Sequence, residues 1–157
     1  MNPWTQSYIG KLLCTFFLSM VPVVELRGGI PLGLSLGLKP WESFLCAIAG
    51  NMLPVPFLIL LTRRVFRWMK KRPRIAPLIE KLERRGHEKG DMVRKYRTPG
   101  LIVLVAIPLP GTGAWTGALV ATLLDIRLKT ALPAILLGVL IAGGLVLAAS
   151  LGIIALV

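Results

Sequence analysis

Apolar residues fall in long blocks, two of them interrupted near the middle. Ile9 to Val24 is mostly apolar, then Val21-Pro22-Val23-Val24-Glu25-Leu26-Arg27-Gly28-Gly29-Ile30-Pro31 brings charges, paired glycines and prolines before Leu32 to Leu38 resumes. Neither piece reaches the roughly 20 residues needed to cross ~30 Å of hydrocarbon. The pattern therefore predicts a re-entrant helical hairpin over 9–38, broken by Pro22 and Pro31. Lys39-Pro40-Trp41-Glu42 supplies a proline suited to a helix start and an interfacial tryptophan, and a full span is predicted over 41–62. Thr98 to Leu124 is uncharged, but Pro108-Leu109-Pro110-Gly111-Thr112-Gly113 sits at its centre. Continuous helix does not suit that stretch, so a second hairpin is predicted over 98–125, broken by Pro108 and Pro110. A second span follows over 131–156.

The two halves thus share one order: broken segment, polar corner, full span. Gly28, Gly29 and Gly33 in the first broken segment find a loose counterpart in Gly111, Gly113 and Gly117 of the second. The fold expected is an all-α integral membrane protein, one domain over 1–157, built as an inverted-topology repeat. Its units are 1–62 and 98–157, each a re-entrant helical hairpin followed by a transmembrane helix. The competing topology has one or both broken segments crossing fully, giving three or four crossings.

Composition agrees: 55% of residues are hydrophobic and 17% charged, against roughly 25% charged in an average soluble domain. Charge placement sharpens the picture further. Between Arg63 and Arg97 stand 14 basic and 4 acidic residues, which leaves 5 basic and 3 acidic for the rest of the chain. A net charge of +12 could serve nucleic acid, but a basic block between long apolar runs follows the positive-inside rule instead. The 63–97 segment is read as a cytoplasmic linker carrying an amphipathic helix, with Leu78, Ile79 and Leu82 on its apolar face. That places both termini outside a prokaryotic inner membrane. No A-x-A-like site follows the first apolar run, so it is expected to stay in the mature protein.

Glu25-Leu26-Arg27-Gly28-Gly29-Ile30-Pro31, Gly50-Asn51 and Pro108-Leu109-Pro110-Gly111-Thr112-Gly113-Ala114-Trp115 resemble the small multidrug export protein family over nearly the whole chain. More distantly, they resemble the DedA-like (VTT/SNARE-associated type) membrane proteins. The first resemblance implies export of small amphiphilic drugs. The second implies carriage of a lipid phosphate such as undecaprenyl phosphate. The chain is shorter than the DedA-like proteins and lacks their flanking helices, so that substrate does not transfer with the resemblance.

Ionisable groups inside hydrocarbon are costly and face a cavity, a partner or an ion path, which singles out Glu25 and Arg27. Arg27 can grip an anionic oxygen pair through its planar fork, with the Gly28 and Gly29 amides close by. Glu25 is the candidate proton-coupling group; a structural ion pair between the two is the alternative. At the facing tip, Thr112 offers a hydroxyl, Gly111 and Gly113 offer amides, and Trp115 offers an apolar wall with one N–H donor. Asn51, in the otherwise apolar first span, is expected to stand behind these residues and bridge to them; a helix-packing hydrogen bond is its alternative role. Cys14 and Cys46 lie in apolar sequence, and His87 stands alone in the basic block, so neither a metal nor a cofactor is expected. Nucleophile elbow, zincin and Walker signatures are absent, and the chain is not expected to be an enzyme.

The function expected is a small inner-membrane transporter of an amphiphilic substrate, with a slight preference for a lipid phosphate and with proton coupling through Glu25. A proton-coupled multidrug exporter and a non-transporting homodimeric scaffold are the alternatives. Membrane lipids, the substrate and a second copy of the chain are the expected partners; nucleic acid is not.

Overall fold

The computed structural model describes residues 7–71, 77, 90–109 and 111–156. The expected amphipathic helix at Leu78, Ile79 and Leu82, His87 and Pro110 lie outside the described residues. Seven helices are described, in the order α1 Tyr8–Met20, α2 Glu25–Ser35, α3 Pro40–Met52, α4 Pro54–Lys70, α5 Gly90–Ala106, α6 Ala114–Leu123 and α7 Leu128–Leu156. No strand occurs among these residues.

Two stretches are long and apolar enough to cross a membrane: Pro40–Met69, comprising α3 and α4, and Leu128–Ile154 within α7. The first is divided at Leu53, ahead of Pro54, where the backbone keeps helical dihedrals, and carries helix past Thr62 into the basic block as far as Lys70. The arms α1, α2 and α6 have 13, 11 and 10 residues, or about 15–20 Å at 1.5 Å per residue, and none spans alone. Burial is distributed as lipid solvent demands. Ile9, Phe17, Leu45, Phe57, Leu61 and Leu137 are exposed, while Thr15, Ser19, Glu25, Ser43, Asn51 and Thr122 are buried.

The interruption of the first segment falls at Val21–Val24, around Pro22. Pro31, expected to break the hairpin, instead lies inside α2. Its missing amide forfeits one helical bond without ending the helix. Glu25 through Gly29 are likewise helical, so the charges and paired glycines ride on the first turns of α2 rather than in an open loop.

The two broken segments carry the same backbone landmarks at one spacing. Left-handed φ angles occur at Val23 (80°) and Gly111 (83°), Glu25 (49°) and Gly113 (154°), Gly37 (82°) and Asp125 (51°), each pair 88 positions apart. Both second arms also end in the same double-bonded cap. Leu38 N–H donates to Gly33 and Gly37 N–H to Leu34, while Ile126 N–H donates to Ala121 and Asp125 N–H to Thr122. The apolar residue completing each cap, Leu38 or Ile126, is buried as that motif favours. Close packing follows the same spacing. A Cβ at Gly50 would strike the Phe16 carbonyl of α1, and one at Gly138 would lie 2.6 Å from Val105 of α5. Gly29 likewise meets Ser19 of α1, and Gly117 meets Val105.

Each second arm packs on the other half: α2 against α7, and α6 against α4. The shared core, Leu26, Ile30, Val55, Val105, Ala114, Ala118, Ile135 and Val139 among others, lies between the halves. Cys14 and Cys46 are free and half-buried, and Cys46 Sγ donates to the Leu12 carbonyl at 3.1 Å.

Candidate functional site

Broken helices leave unpaired amides at one end and unpaired carbonyls at the other, and in hydrocarbon those groups need partners from the protein. The second break, between α5 and α6, exposes both kinds within a few residues. Two neighbouring side chains of the first unit answer them.

Arg27 takes the carbonyl end. Its guanidinium donates to the Leu109 and Thr112 carbonyls, and also lies 3.4 Å from the Ile107 carbonyl and 3.0 Å from Thr112 Oγ1. The planar fork reaches several acceptors at once, which an ammonium on the same stem cannot do. Its positive charge also opposes the negative end of α5. Thr112 knits the same turn. Its hydroxyl lies 2.7 Å from the Ile107 carbonyl and 2.9 Å from the Leu109 carbonyl, and it accepts the Leu109 amide at 3.2 Å.

Glu25 takes the amide end. Its Oε1 accepts the Trp115 N–H at 3.3 Å, and the Ala114 N–H faces the same carboxylate. A carboxylate on the first amides of α6 meets the positive end of that helix. The approach requires Gly113, because a Cβ there would lie 2.7 Å from the Glu25 Cδ. With φ 154° and ψ −165°, Gly113 also holds a conformation reserved for glycine. Glu25 and Val23 themselves adopt left-handed φ without being glycine, a strain that turns α2 so that its first residue points across the molecule.

Between the tips lies a narrow pocket without room for a water molecule, lined by Glu25, Arg27, Asn51, Gly113, Leu26 and Val139, with Val105, Ala114 and Ala142 completing it. Glu25 with Gly113, Leu26 with Ala114, and Asn51 with Val139 are three pairs at the 88-residue spacing, so equivalent positions of both units line it. Ligand pockets begin at roughly 300 Å³, so no ligand of ordinary size fits between the tips as they stand. Asn51 is fully buried on this pocket, and neither its amide nitrogen nor its carbonyl oxygen has a hydrogen-bond partner.

The structure thus brings Glu25, Arg27, Asn51, Thr112, Gly113 and the Trp115 amide together. The Trp115 indole N–H is buried without a partner. Gly28 and Gly29 lie within α2 against Val24 of the preceding turn and Ser19 of α1, and the Gly28 amide donates to the Val24 carbonyl at 3.1 Å. Gly111 is exposed at the outer edge of the second tip. Pro108 is exposed on the same tip.

Three further residues matter to these breaks and were not singled out in the sequence. Thr116 donates to the Gly111 carbonyl at 2.8 Å, Ser43 donates to the Ile30 carbonyl at 2.9 Å, and Arg63 donates to the Ile126 carbonyl beyond the end of α6. Arg63 opens the basic block, where its capping role has no signal separate from its neighbours. Among the described residues there is no group of three side chains able to hold a metal ion.

No curated protein and no solved structure matches the chain. A family model described as "Putative small multi-drug export protein" matches residues 25–145, which include both tips, the first span and the basic interval. Apolar helices with polar residues turned inward, joined to that match over most of the chain, make this a multi-pass membrane protein that belongs to the small multi-drug export protein family.

Proposed function

We propose that the chain is a transporter rather than an enzyme, and that it moves an amphiphilic substrate across the prokaryotic inner membrane by alternating access to the pocket between its two broken tips. One observation carries the reading: side chains from one broken unit cap the helix ends of the other across a pocket lined by both. The shared landmarks support an inverted repeat of two re-entrant hairpins, with the basic 63–97 segment cytoplasmic. Opening requires the Glu25 and Arg27 contacts to exchange for contacts with substrate. Arg27 and the amide end of α6 favour a substrate with an anionic head, such as a lipid phosphate, and release of Glu25 as the neutral acid would couple a proton to the cycle. A second copy of the chain would complete the path that 157 residues enclose only in part.

Purified protein in vesicles tests this. Translocation of a prenyl phosphate should exceed empty vesicles under a proton gradient and fall at least tenfold in Arg27→Ala and Glu25→Gln. Uptake of a cationic dye without prenyl phosphate movement would assign the family's drug-export activity instead, and no flux of either kind would overturn transport.

The saturation of Arg27 by backbone carbonyls favours one rival, a non-transporting scaffold in which Glu25 and Arg27 only lock the fold. In that case both variants lower thermal stability or assembly, and no substrate-dependent signal exists to be lost.

A further inference from the structure

Along α4 the sequence passes from Phe57-Leu58-Ile59-Leu60-Leu61 to Arg63-Arg64-Val65-Phe66-Arg67-Trp68-Met69-Lys70-Lys71. At 3.6 residues per turn, Phe57, Leu61, Arg64, Arg67, Trp68 and Lys71 fall within an arc of about 120° on one side of the helix, and all six are exposed. The opposite side carries Val55 and Ile59, fully buried, and α4 packs against α6. The exposed side is therefore ordered along the helix axis: apolar at Phe57 and Leu61, cationic from Arg64 about 10 Å further on, with Trp68 among the cations. At that cationic end opens a cleft of about 500 Å³, lined among the described residues by Arg64, Arg67, Trp68 and Lys71. Its size is within the roughly 300–1,000 Å³ of small-molecule sites, unlike the space between the tips. No Asp or Glu occurs between Glu42 and Glu80, so α4 brings no carboxylate of its own to these cations. The negative end of the helix offsets only about half a charge.

We infer that the end of α4 is a binding site for one acidic phospholipid of the surrounding bilayer, held as a resident part of the protein. The order of groups on the helix is the order of groups in such a lipid. Its phosphodiester sits in the cleft, where the forks of Arg64 and Arg67 take the phosphate oxygens and Lys71 adds a point charge. Trp68 lies at the level of the glycerol, where an aromatic ring suits the interface. The acyl chains run back along Leu61 and Phe57 into the hydrocarbon. A polynucleotide fits this face less well, because the cations stand directly above lipid-facing side chains of the same helix rather than on a surface turned to water. The cleft shares no lining residue with the pocket between the tips, so the lipid it holds is not the cargo. What the lipid does is fix the end of α4. Arg63, next to Arg64 and half-buried, donates to the Ile126 carbonyl beyond the end of α6, so an anchored α4 keeps that cap in place. The inference needs α4 to cross the bilayer and stands apart from the transport reading.

Native mass spectrometry of the full chain tests it, with the protein in neutral detergent micelles doped equally with phosphatidylglycerol and phosphatidylethanolamine. Wild type should retain one phosphatidylglycerol, favoured about tenfold over the zwitterionic lipid. Arg64→Gln with Arg67→Gln should lower that retention about tenfold or more. Arg127→Gln with Lys129→Gln removes the same charge from exposed residues at the start of α7 and should leave retention within about twofold. Equal losses in the two pairs would mean a general attraction of basic protein for acidic lipid and would overturn the site. Should the α4 pair fail to fold, Lys71→Gln alone carries the expectation at about fivefold, and an unchanged retention there would overturn it equally. Glycerophosphoglycerol, the same head without chains, should bind about tenfold more weakly or worse; equal binding would mark a soluble-phosphate site and overturn the acyl-chain part. A single-stranded RNA oligonucleotide that displaces the lipid at equal concentration would overturn the choice of lipid. The anchoring role has its own readout: added phosphatidylglycerol should raise the unfolding temperature of wild type and leave that of the α4 pair unmoved, and no rise in wild type would overturn the anchor.

Discussion

At equivalent places in the two broken units the chain makes opposite choices. The first tip carries side chains in left-handed conformations at Val23 and Glu25, where the second has Gly111 and Gly113. Arg27 stands 88 positions before Trp115, and Asn51 the same distance before Val139. One unit therefore supplies two ionisable side chains, Glu25 from a strained backbone, and the other supplies bare backbone that those side chains engage. Two units with shared backbone landmarks can build a central site in this way because chemistry is needed on one side only. Identical carboxylates on both tips would repel each other across the pocket, and identical glycines would leave the helix ends of both breaks uncapped.

The sharpest way to break this division is to put a side chain where the second unit must be bare. Gly113→Ala should lose about 4 kcal/mol, combining a glycine-only backbone conformation with displacement of the Glu25 carboxylate from α6. Thermal unfolding in detergent, followed by near-UV circular dichroism, would show it as the largest loss among tip variants. Removing the charge from the first unit comes next. Arg27→Ala takes the cation from the exposed Leu109 and Ile107 carbonyls and the half-buried Thr112 carbonyl and should cost about 2 kcal/mol, whereas Arg27→Lys keeps the charge but loses the fork and should recover less than half; chemical denaturation midpoints would separate the two. Thr112→Val keeps the volume while removing the hydroxyl that links Arg27, Leu109 and Ile107, and should cost about 1–2 kcal/mol. The smallest effect has the opposite sign. Val23→Gly gives the first tip the residue its counterpart already has and, after the added flexibility of the unfolded chain, should stabilise by about 0.5 kcal/mol, read as slower thermal inactivation.

Much of this architecture is legible in the sequence, since uncharged run lengths distinguish full spans from interrupted segments. The prolines at 22 and 108 mark both breaks. Pro31 is a different case. A proline's local chemistry argues for an end, but packing of α2 against α1, α3 and α7 sustains the helix through it. The 88-residue spacing of the landmarks is hidden for a related reason. Conspicuous glycines invite a match of Gly28 and Gly29 with Gly111 and Gly113, yet the backbone pairs Gly111 with Val23 and Gly113 with Glu25, because strain lets non-glycine residues take the same turn.

Glu25, Arg27 and Asn51 stand out by the cost of burying polar groups, and the structure gathers them at one pocket. Apart from the Thr112 hydroxyl, the partners of Glu25 and Arg27 are backbone atoms 80 or more positions away, to which no side-chain pattern points. Thr116 and Ser43 escape notice similarly, because a hydroxyl that caps a distant or irregular carbonyl looks like any other hydroxyl in an apolar run.

Arg27 and Glu25 of the first unit hold the second unit's tip in place. Spin labels on Val23→Cys and Leu109→Cys, two exposed positions on opposite tips, would report the separation of the tips in lipid vesicles by pulsed electron resonance. One narrow distance is expected with Arg27 and Glu25 intact, and a broad, longer distribution once Arg27→Ala is added. An equally narrow distribution in the Arg27→Ala background would contradict it.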